Sequence, residues 1–282
     1  MIELKSLSFQ YAGGEKFALS GIDLTIADGD FVGVTGPSGA GKTTLTHVIS
    51  GAVPHHYRGD FYGAALIDGA DTVDSSPEKL SRKVGSVFQD VEAQLVTATV
   101  EEEILFGLLN YGMKGATIEK RLVNALERVG IANLRERRIE SLSGGQKQKV
   151  AIAATLALSP QILVLDEPTG ELDPQSSREI FEILKELNEH ENVTVVVVEQ
   201  KIMLLSAYCK KLAVLDGGKL ARFAPVREAL SDPEELTKIG VHVPRIVSLA
   251  GELARRGLYA GDAPVDIREA AEMTSAARGG EQ

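Results

Sequence analysis

Apolar residues follow strand-like patterns at the N-terminal end of this chain and in two later stretches. The N-terminal patterns are separated by turn residues and lie at Ile2 to Tyr11, Ile22 to Ile26, Phe31 to Thr35 and Ala65 to Asp68. The later stretches, Ile162 to Leu165 and Val193 to Val198, are almost continuously apolar. Strands without alternation are buried on both faces, so these two indicate a parallel sheet between layers of helices. The predicted fold class is α/β.

Segments with helical periodicity lie between and after these strands. After the glycine-rich stretch 36–44, apolar residues recur at positions 45, 48 and 49 until Gly51 ends the run. Thr99 and Glu102 form a Thr-x-x-Glu capping box that opens a second helix, and a third helix spans roughly residues 175–189. From about residue 225 the chain turns to short helices, of which the clearest carries apolar residues at 246, 249, 250 and 253. These patterns predict a helical segment appended to an α/β core.

Length, charge and cysteine content narrow the class of protein. The 282 residues suffice for one large domain, or for one domain with a smaller addition. The net charge of −10 argues against a nucleic-acid partner. The one cysteine, Cys209, rules out an internal disulfide and fits a buried thiol in a reducing compartment. Because no apolar run reaches the ~18–20 residues of a spanning helix and no secretory signal is seen, we expect a protein of the cytoplasm.

One glycine-rich stretch matches a loop that cradles phosphate groups. It follows an apolar strand, opens a helix and satisfies G-x-x-x-x-G-K-[ST] with Gly36, Pro37, Ser38, Gly39, Ala40, Gly41, Lys42 and Thr43. The glycines allow successive backbone N–H groups to surround a phosphate at a helix N-terminus, where amides lack intrahelical partners. We expect Lys42 to contact the β- and γ-phosphates of a nucleotide and the Thr43 hydroxyl to bind Mg²⁺.

Two acids at the end of a buried strand complete a hydrolytic site. Asp166 and Glu167 follow the apolar run Ile162 to Leu165, and ligands of α/β sheets bind at the carboxyl ends of the strands. Asp166 is predicted to hold Mg²⁺ through its water shell, and Glu167 to polarise the attacking water. The sequence has no Asn-Lys-x-Asp tetrad for guanine, and positions 36, 39 and 41 lack the G-x-G-x-x-G spacing of hydride-transferring enzymes. Nucleotide hydrolysis is the favoured reaction.

A second glycine cluster decides the subclass. Leu142-Ser143-Gly144-Gly145-Gln146 forms another helix N-terminus with little side-chain bulk, suited to a second anionic group. With the phosphate-binding stretch before it and Asp166-Glu167 after it, this string resembles the ATP-binding subunit of ABC transporters. The resemblance implies a P-loop ATPase cassette with an antiparallel β subdomain and a helical subdomain. It also implies a head-to-tail dimer, in which residues 143–146 of one subunit close over the ATP γ-phosphate held by Lys42 of the other.

The resemblance assigns further positions by their order along the chain. Tyr11 matches the aromatic residue that stacks on adenine, although a tyrosine at a strand edge would fit equally well. Thr44 completes the nucleotide-binding stretch. Gln89, after the strand Val84 to Phe88, matches a glutamine that reaches Mg²⁺ and the attacking water; the alternative is a polar strand terminus. Asp173 ends the string that matches the D-loop of the family, and we expect it to cross or brace the dimer interface.

One position departs from the family pattern. After the strand Val193 to Val198 the family places a histidine that contacts the γ-phosphate, whereas this chain has Glu199-Gln200-Lys201. Gln200 occupies the histidine position, and none of the five histidines lies where it could substitute. A glutamine amide can donate to phosphate but cannot carry a positive charge. We therefore expect slow turnover at this site and hypothesise a non-identical ATPase partner, although a homodimer stays open.

A narrower resemblance suggests partners in a membrane. Residues 87–95, 99–104 and 106–107, and the tail with Asp232-Pro233 and Val243-Pro244, are similar to ATPases of energy-coupling-factor importers. Such importers take up vitamins or transition-metal ions with two ATPases, a transmembrane coupling protein and a small substrate-binding membrane protein. The resemblance implies a peripheral protein at the cytoplasmic face of the membrane. Asp90 and Glu92 are predicted to help dock a basic segment of the transmembrane partner.

The predicted domains are a cassette at residues 1–224 and an extension at residues 225–282. The helical subdomain is expected at about 90–158. The resemblance implies that the extension helps the ATPases to pair, whereas an ordinary surface helix would account equally well for its pattern. A second class of function stays open, namely a soluble ABC ATPase with a role in assembly or repair. Paired cassettes or long coiled-coil insertions, which often mark such proteins, are not seen in this sequence.

Overall fold

The computed structural model describes residues 1–265 and 267–279. Residues 266 and 280–282, which belong to the predicted extension, lie outside the described residues. The strands are β1 (Ile2–Tyr11), β2 (Leu19–Ile26), β3 (Phe31–Thr35), β4 (Gly59–Ile67), β5 (Ala70–Asp71), β6 (Val84–Val87), β7 (Ile162–Asp166), β8 (Thr194–Val198), β9 (Lys211–Asp216) and β10 (Lys219–Pro225). The α-helices are α1 (Lys42–Ser50), α2 (Ala52–His55), α3 (Pro77–Ser81), α4 (Val91–Gln94), α5 (Val100–Asn110), α6 (Ala116–Arg128), α7 (Gly144–Ala157), α8 (Pro174–Glu191), α9 (Ile202–Tyr208), α10 (Val226–Ala229), α11 (Pro233–Lys238), α12 (Arg245–Arg255) and α13 (Ile267–Gly279).

The strands form two sheets of different kinds. One has the order β10-β9-β3-β8-β7-β6, in which neighbours from β9 to β6 are parallel and β10 is antiparallel to β9. The other is the antiparallel sheet β2-β1-β4-β5. The predicted α/β class is confirmed, as is the parallel pairing of the strands at Ile162 and Val193.

The central strands are apolar throughout because different layers cover their two faces. In β8, Val195 and Val197 pack into the apolar cluster that includes α5, α6, α7 and α8. Val196 and Val198 point the other way, into the cluster formed with α1 and the antiparallel sheet. Burial on both faces removes the alternation that a half-exposed strand would show.

One hairpin was missed by the sequence patterns. β9 and β10 extend the parallel sheet beyond β3, whereas the sequence patterns predicted no strand after Val198. The signal was present as an apolar run, Leu212 to Leu215, followed by Asp216-Gly217-Gly218. Both glycines have positive φ, 50° and 79°, which suits a tight turn between paired strands. β4 also begins earlier than predicted, at Gly59, because its mostly exposed first half pairs with β1 without an apolar pattern of its own.

Helices α4 to α7 lie between β6 and β7 in the chain. The predicted capping box at the start of α5 is present: the Thr99 hydroxyl accepts from the Glu102 amide, and the Glu102 carboxylate accepts from the Thr99 amide at 2.9 Å. α7 begins at Gly144 and packs against both α5 and α6. The second glycine cluster therefore stands at the end of a long helix anchored in this helical part of the molecule.

The residues after β10 pack on the main apolar cluster through α10, α11 and α12. Leu230, Leu236 and Val247 are buried there. The apolar stripe of α12 is only partly covered, because Ala250 is buried while Leu249 is 43% exposed. Gly240 lies close to the predicted phosphate-binding stretch: a Cβ atom at this position would lie 3.5 Å from the Pro37 Cβ. Within the described ranges, no helix has the length and apolarity to cross a bilayer.

Candidate nucleotide-binding and hydrolysis site

The predicted phosphate-binding stretch, residues 36–44, connects β3 to α1 and has glycines at its sharp turns. Gly41 is the N-cap of α1 with φ 96°, a left-handed conformation that L side chains avoid. A Cβ atom at Gly41 would lie 2.4 Å from the carbonyl oxygen of Ala18, so any larger residue would collide with the backbone. Gly36, Pro37, Ser38, Gly39 and Ala40 complete the curve between the strand and the helix.

Lys42 lies inside this curve. Its side chain is nearly buried, at 7% exposure, and its ammonium donates to the carbonyl oxygens of Gly36 and Pro37, each at 2.9 Å. The charge is therefore held within the loop, at the N-terminus of α1, whose first amides have no intrahelical partner. Thr43 is exposed beside it and Thr44 is buried beneath it. This arrangement is suited to a phosphate chain.

Asp166, the last residue of β7, has an environment suited to a cation. It is 4% exposed, and its buried Oδ1 has no hydrogen-bond partner among the described residues. Burial raises the pKa of this carboxyl, and the nearby Thr43 hydroxyl opposes part of that rise. A buried carboxylate oxygen without a donor is costly unless a cation satisfies it. With the Thr43 hydroxyl nearby, the oxygen donors fit Mg²⁺, which prefers such ligands.

Glu167 is the centre of a cluster of three side chains. Its Oε1 accepts from Gln200 Nε2 at 2.7 Å, and its Oε2 accepts from Gln89 Nε2 at 3.3 Å. Its backbone amide donates to the Val198 carbonyl at 2.9 Å, which fixes the turn after β7. Glu167 has a φ of 47°, a backbone conformation that residues other than glycine adopt only at a cost of about 1 kcal/mol or more. The fold thus orients the carboxylate at the expense of local strain.

Strand order explains why these side chains meet. β6, β7 and β8 are parallel neighbours, and Gln89, Glu167 and Gln200 each lie one or two residues beyond the end of one of them. β3, which ends at the phosphate loop, is the next strand beyond β8. The carboxyl ends of four adjacent strands therefore present all of these groups at the same edge, where α/β sheets bind their ligands.

Sequence reasoning missed a buried contact next to this cluster. Glu199 is 1% exposed, and its Oε2 accepts from the Thr169 hydroxyl. Its Oε1 accepts from the amides of Gln200 at 2.8 Å and Lys201 at 3.2 Å. The signal in the sequence was a charged residue directly after an apolar strand. This buried carboxylate fixes the loop that carries Gln200.

The second glycine cluster forms the N-terminus of α7. Ser143 is its N-cap in a capping box with Gln146: the serine hydroxyl accepts from the Gln146 amide at 3.3 Å, and Gln146 Oε1 accepts from the Ser143 amide at 3.0 Å. Among the described residues, the Ser143 hydroxyl donates no hydrogen bond. A Cβ atom at Gly145 would lie 3.2 Å from Ser176 Oγ, so the glycine permits close packing against α8. Gly144 lines a cavity of about 470 Å³ together with Gln89, Glu167 and other residues.

Two other predicted residues occupy defined positions. Tyr11, at the end of β1, contacts α1 through its hydroxyl, which lies 3.1 Å from Thr44 Oγ1 and 3.5 Å from His47 Nδ1. It therefore lies beside the predicted phosphate-binding stretch.

Asp173 is the N-cap of α8 and accepts hydrogen bonds from the amides of Gln175 and Ser176. A hydrogen bond from the Ser176 hydroxyl, together with these two amide bonds, lowers the pKa of Asp173. Cys209 is buried as predicted, and burial raises the pKa of its thiol.

Known proteins share this sequence pattern. Residues 19–170, more than half of the chain, match the family described as ABC transporter. The chain belongs to the ABC transporter family. An ABC transporter ATP-binding protein of Methanosarcina mazei is 40% identical to this chain over 90% of the chain's length. The chain spans only 44% of the length of that relative. The energy-coupling factor transporter ATP-binding protein EcfA of Methanothermobacter thermautotrophicus is 36% identical over 97% of the chain and 85% of its own length.

Solved structures agree with the ABC assignment. The cbiO1 protein of Clostridium perfringens, part of the ABC transporter complex cbiONQ, has a TM-score of 0.75 and 32% identity, covering 90% of this chain and 98% of its own. The dimeric ATP-binding cassette MJ0796, bound to ADP and phosphate, has a TM-score of 0.71 and 32% identity, covering 80% and 99%. The fold is that of an ABC ATPase cassette. The chain is an ATP-binding subunit of this family, and its reaction is ATP hydrolysis.

Proposed function

We propose that this chain is the ATP-hydrolysing subunit of an energy-coupling-factor importer for a vitamin or a transition-metal ion. The observation that carries the hydrolytic role is the cluster in which Gln89 and Gln200 hold the Glu167 carboxylate beside Lys42 and Asp166. Similarity to EcfA over almost the whole chain, and to cbiO1, supports the importer type. The chain would act as a peripheral protein at the cytoplasmic face of a membrane.

The site residues have distinct roles in this proposal. The amides of residues 36–44 and the Lys42 ammonium bind the phosphates, and Tyr11 stacks on adenine. Glu167 accepts a proton from the water that attacks the γ-phosphate in line, and Gln89 and Gln200 orient that carboxylate.

Mg²⁺ fits the oxygen donors of Asp166, Thr43 and Gln89 at this site. When bound, it neutralises negative charge on the phosphates. The unpartnered Asp166 Oδ1 favours this assignment, because an acceptor buried without a donor is otherwise costly.

The second half of the site comes from a partner subunit. Ser143 and Gly145, with Gly144 and Gln146, close over the γ-phosphate held by Lys42 of the other subunit. The exposed N-terminus of α7 and the available Ser143 hydroxyl support this arrangement. By the resemblance to energy-coupling-factor ATPases, we assign the extension from residue 225 to the pairing of the two ATPases, and Leu249 on its α12, 43% exposed, is accessible to such a contact.

Gln200 favours a heterodimer. Its amide donates to Glu167 at 2.7 Å and would donate to the γ-phosphate as a neutral group. A neutral donor stabilises the charge on the transferring phosphoryl group less than a cationic imidazole does. We therefore infer a slow site in this chain and a complete site in a non-identical ATPase partner.

A groove beside Gln89 is assigned to the transmembrane partner. The groove encloses about 540 Å³ between the end of β6, α5 and α7. Phe88 and Phe106 line it and remain 46% and 50% exposed. Exposed aromatic side chains around a concave surface are typical of protein interaction sites. The coupling protein would then bind next to a residue of the hydrolytic cluster.

The acidic residues near this groove have partners within the chain. Asp90 caps α4 by accepting from the Ala93 amide at 2.9 Å, and Glu92 pairs with Lys147. The predicted docking role of Asp90 and Glu92 stays a prediction. These two carboxylates already interact with groups of the same chain, which weakens their attraction for a basic partner. We therefore expect the apolar groove to supply most of the docking energy.

Recovery of the native complex tests this proposal. The tagged chain, purified from detergent-solubilised membranes, is expected to retain a polytopic coupling protein, a small membrane protein and a second ATPase, identified by intact-mass analysis. Phe106→Glu is expected to lose the membrane proteins while binding ATP normally, because it places a charge in the apolar groove. Val73→Glu, at a residue 39% exposed elsewhere, is the control. Wild-type chain recovered without any membrane protein would contradict the importer role and favour a soluble ABC ATPase.

A further inference from the structure

The Lys201 ammonium joins two loops of the hydrolytic site. Its Nζ donates to the carbonyl oxygen of Thr169 at 2.5 Å, the carbonyl oxygen of Leu172 at 3.1 Å and the Ser177 hydroxyl at 3.1 Å. Thr169 and Leu172 belong to the segment 167–173, which runs from Glu167 to the N-cap of α8. One side chain from the loop after β8 thus holds two points on the loop after β7 and a third point, Ser177, near the start of α8.

Chemistry explains why a lysine suits this position. An ammonium group has three N–H donors, and here it meets three neutral oxygen acceptors at separate points. A side chain of similar length without a donor would leave two backbone carbonyls and a hydroxyl without this partner. Two of the acceptors belong to buried residues, since Ser177 is 1% exposed and Thr169 is 0% exposed, while Lys201 itself is half-buried.

The same segment is held from a second direction. Glu199 accepts from the Thr169 hydroxyl and from the amides of Gln200 and Lys201. Gln200, which donates to Glu167, therefore lies between two residues that both grip the segment 167–173. Contacts of the residues on either side of Gln200 therefore connect it to this segment.

We propose that Lys201 is a positioning residue that keeps the segment 167–173 in register with Gln200, so that Glu167 and Asp173 respond together when Gln200 meets the γ-phosphate. This inference rests on the proposed function, because it assumes hydrolysis at a site shared with a partner subunit. Lys201 acts through Glu167 and not on ATP, since its three contacts are all to the protein. Its loss should lower kcat and leave the KM for ATP nearly unchanged.

The test uses the assembled ATPase recovered with this chain. Where the complex holds a second kind of ATPase, the phosphate-loop lysine of that partner is replaced by alanine, so that only the site of this chain turns over. Lys201→Met is expected to lower kcat at least about tenfold with the KM for ATP within about twofold. Lys201→Arg, which keeps several N–H donors, is expected to recover most of the rate. Lys120→Met, at an exposed lysine on α6, is the control and should match the wild type.

A milder variant keeps the test decisive if Lys201→Met does not fold. Ser177→Ala removes one of the three acceptors and is expected to lower kcat by about fivefold at unchanged KM, the effect of one ordinary hydrogen bond on the barrier. Wild-type kcat in either folded variant, or a rise in KM at constant kcat, overturns the proposal for Lys201. Absence of hydrolysis by the wild-type complex overturns the proposed function and this inference together. Normal wild-type hydrolysis that Glu167→Gln abolishes while Lys201→Met does not overturns only the inference.

Discussion

Replacement of Glu167 by glutamine tests the chemistry most directly. The carboxylate is the only group in its cluster with Gln89 and Gln200 that can accept a proton from water, because both glutamines are neutral amides. Loss of a positioned general base costs roughly 10²–10⁴ in rate. At 1.36 kcal/mol for each factor of ten, the barrier to hydrolysis should rise by about 3 to 5 kcal/mol.

The same substitution should leave the fold and ATP binding nearly intact. The carboxylate accepts one bond on each oxygen, from Gln200 at 2.7 Å and Gln89 at 3.3 Å. A glutamine at 167 presents one acceptor and one donor, so one of these contacts is lost unless the facing amide turns over. The cost to the free energy of unfolding is therefore expected to be about 1 kcal/mol. The φ of 47° at position 167 adds no further penalty, because glutamate and glutamine are both unbranched at Cβ.

The assay compares ATP binding, phosphate release and dimer formation. Glu167→Gln should bind ATP as the wild type does, release phosphate at least a hundredfold more slowly, and collect as an ATP-bound dimer in size-exclusion chromatography. Glu189→Gln, at an exposed position on α8, removes the same charge away from the site and should behave as the wild type. Phosphate release by Glu167→Gln at the wild-type rate would refute the assignment of Glu167 as the group that accepts a proton from the attacking water.

Three further substitutions probe the remaining parts of the site. Lys42→Ala should abolish measurable ATP affinity in a binding titration, because it removes the charge held within the phosphate-binding loop; unchanged affinity would contradict that role. Gln200→His should raise the hydrolysis rate about fivefold, since a charge-assisted bond to phosphate is stronger than a neutral one, and an unchanged rate would argue against an impaired site. Asp166→Asn should remove the Mg²⁺-dependent rise in melting temperature with ATP. Burial raises the pKa of Asp166 above its unfolded value, so this group opposes folding once the pH rises through that raised pKa. The asparagine variant should thus melt at a higher temperature than the wild type without ligands at pH 7, and equal melting curves would contradict this.

Some parts of the fold were predictable because their signals are local. The phosphate-binding stretch, the capping box at Thr99 and the buried strand before Asp166 each depend on residues within one short segment. The hairpin β9 and β10 was missed although β9 is apolar, since the edge strand β10 has only one buried residue and lacks a clear apolar pattern. The first half of β4 was missed for the same reason: its pairing with β1 uses backbone groups that the side chains do not reveal.

The sequence by itself determined which chemical groups this ABC protein has and on which kind of local structure each one lies. Tertiary structure decided which of them meet: the order β3-β8-β7-β6 brings residues from distant parts of the chain, Gln89, Glu167 and Gln200, into hydrogen-bond distance. It also decided that Lys201 would hold the carbonyls of Thr169 and Leu172, a contact between loops about thirty residues apart. The physical reason is that strand order in a parallel sheet is set by packing across the whole core, whereas motifs and caps depend on neighbours along the chain.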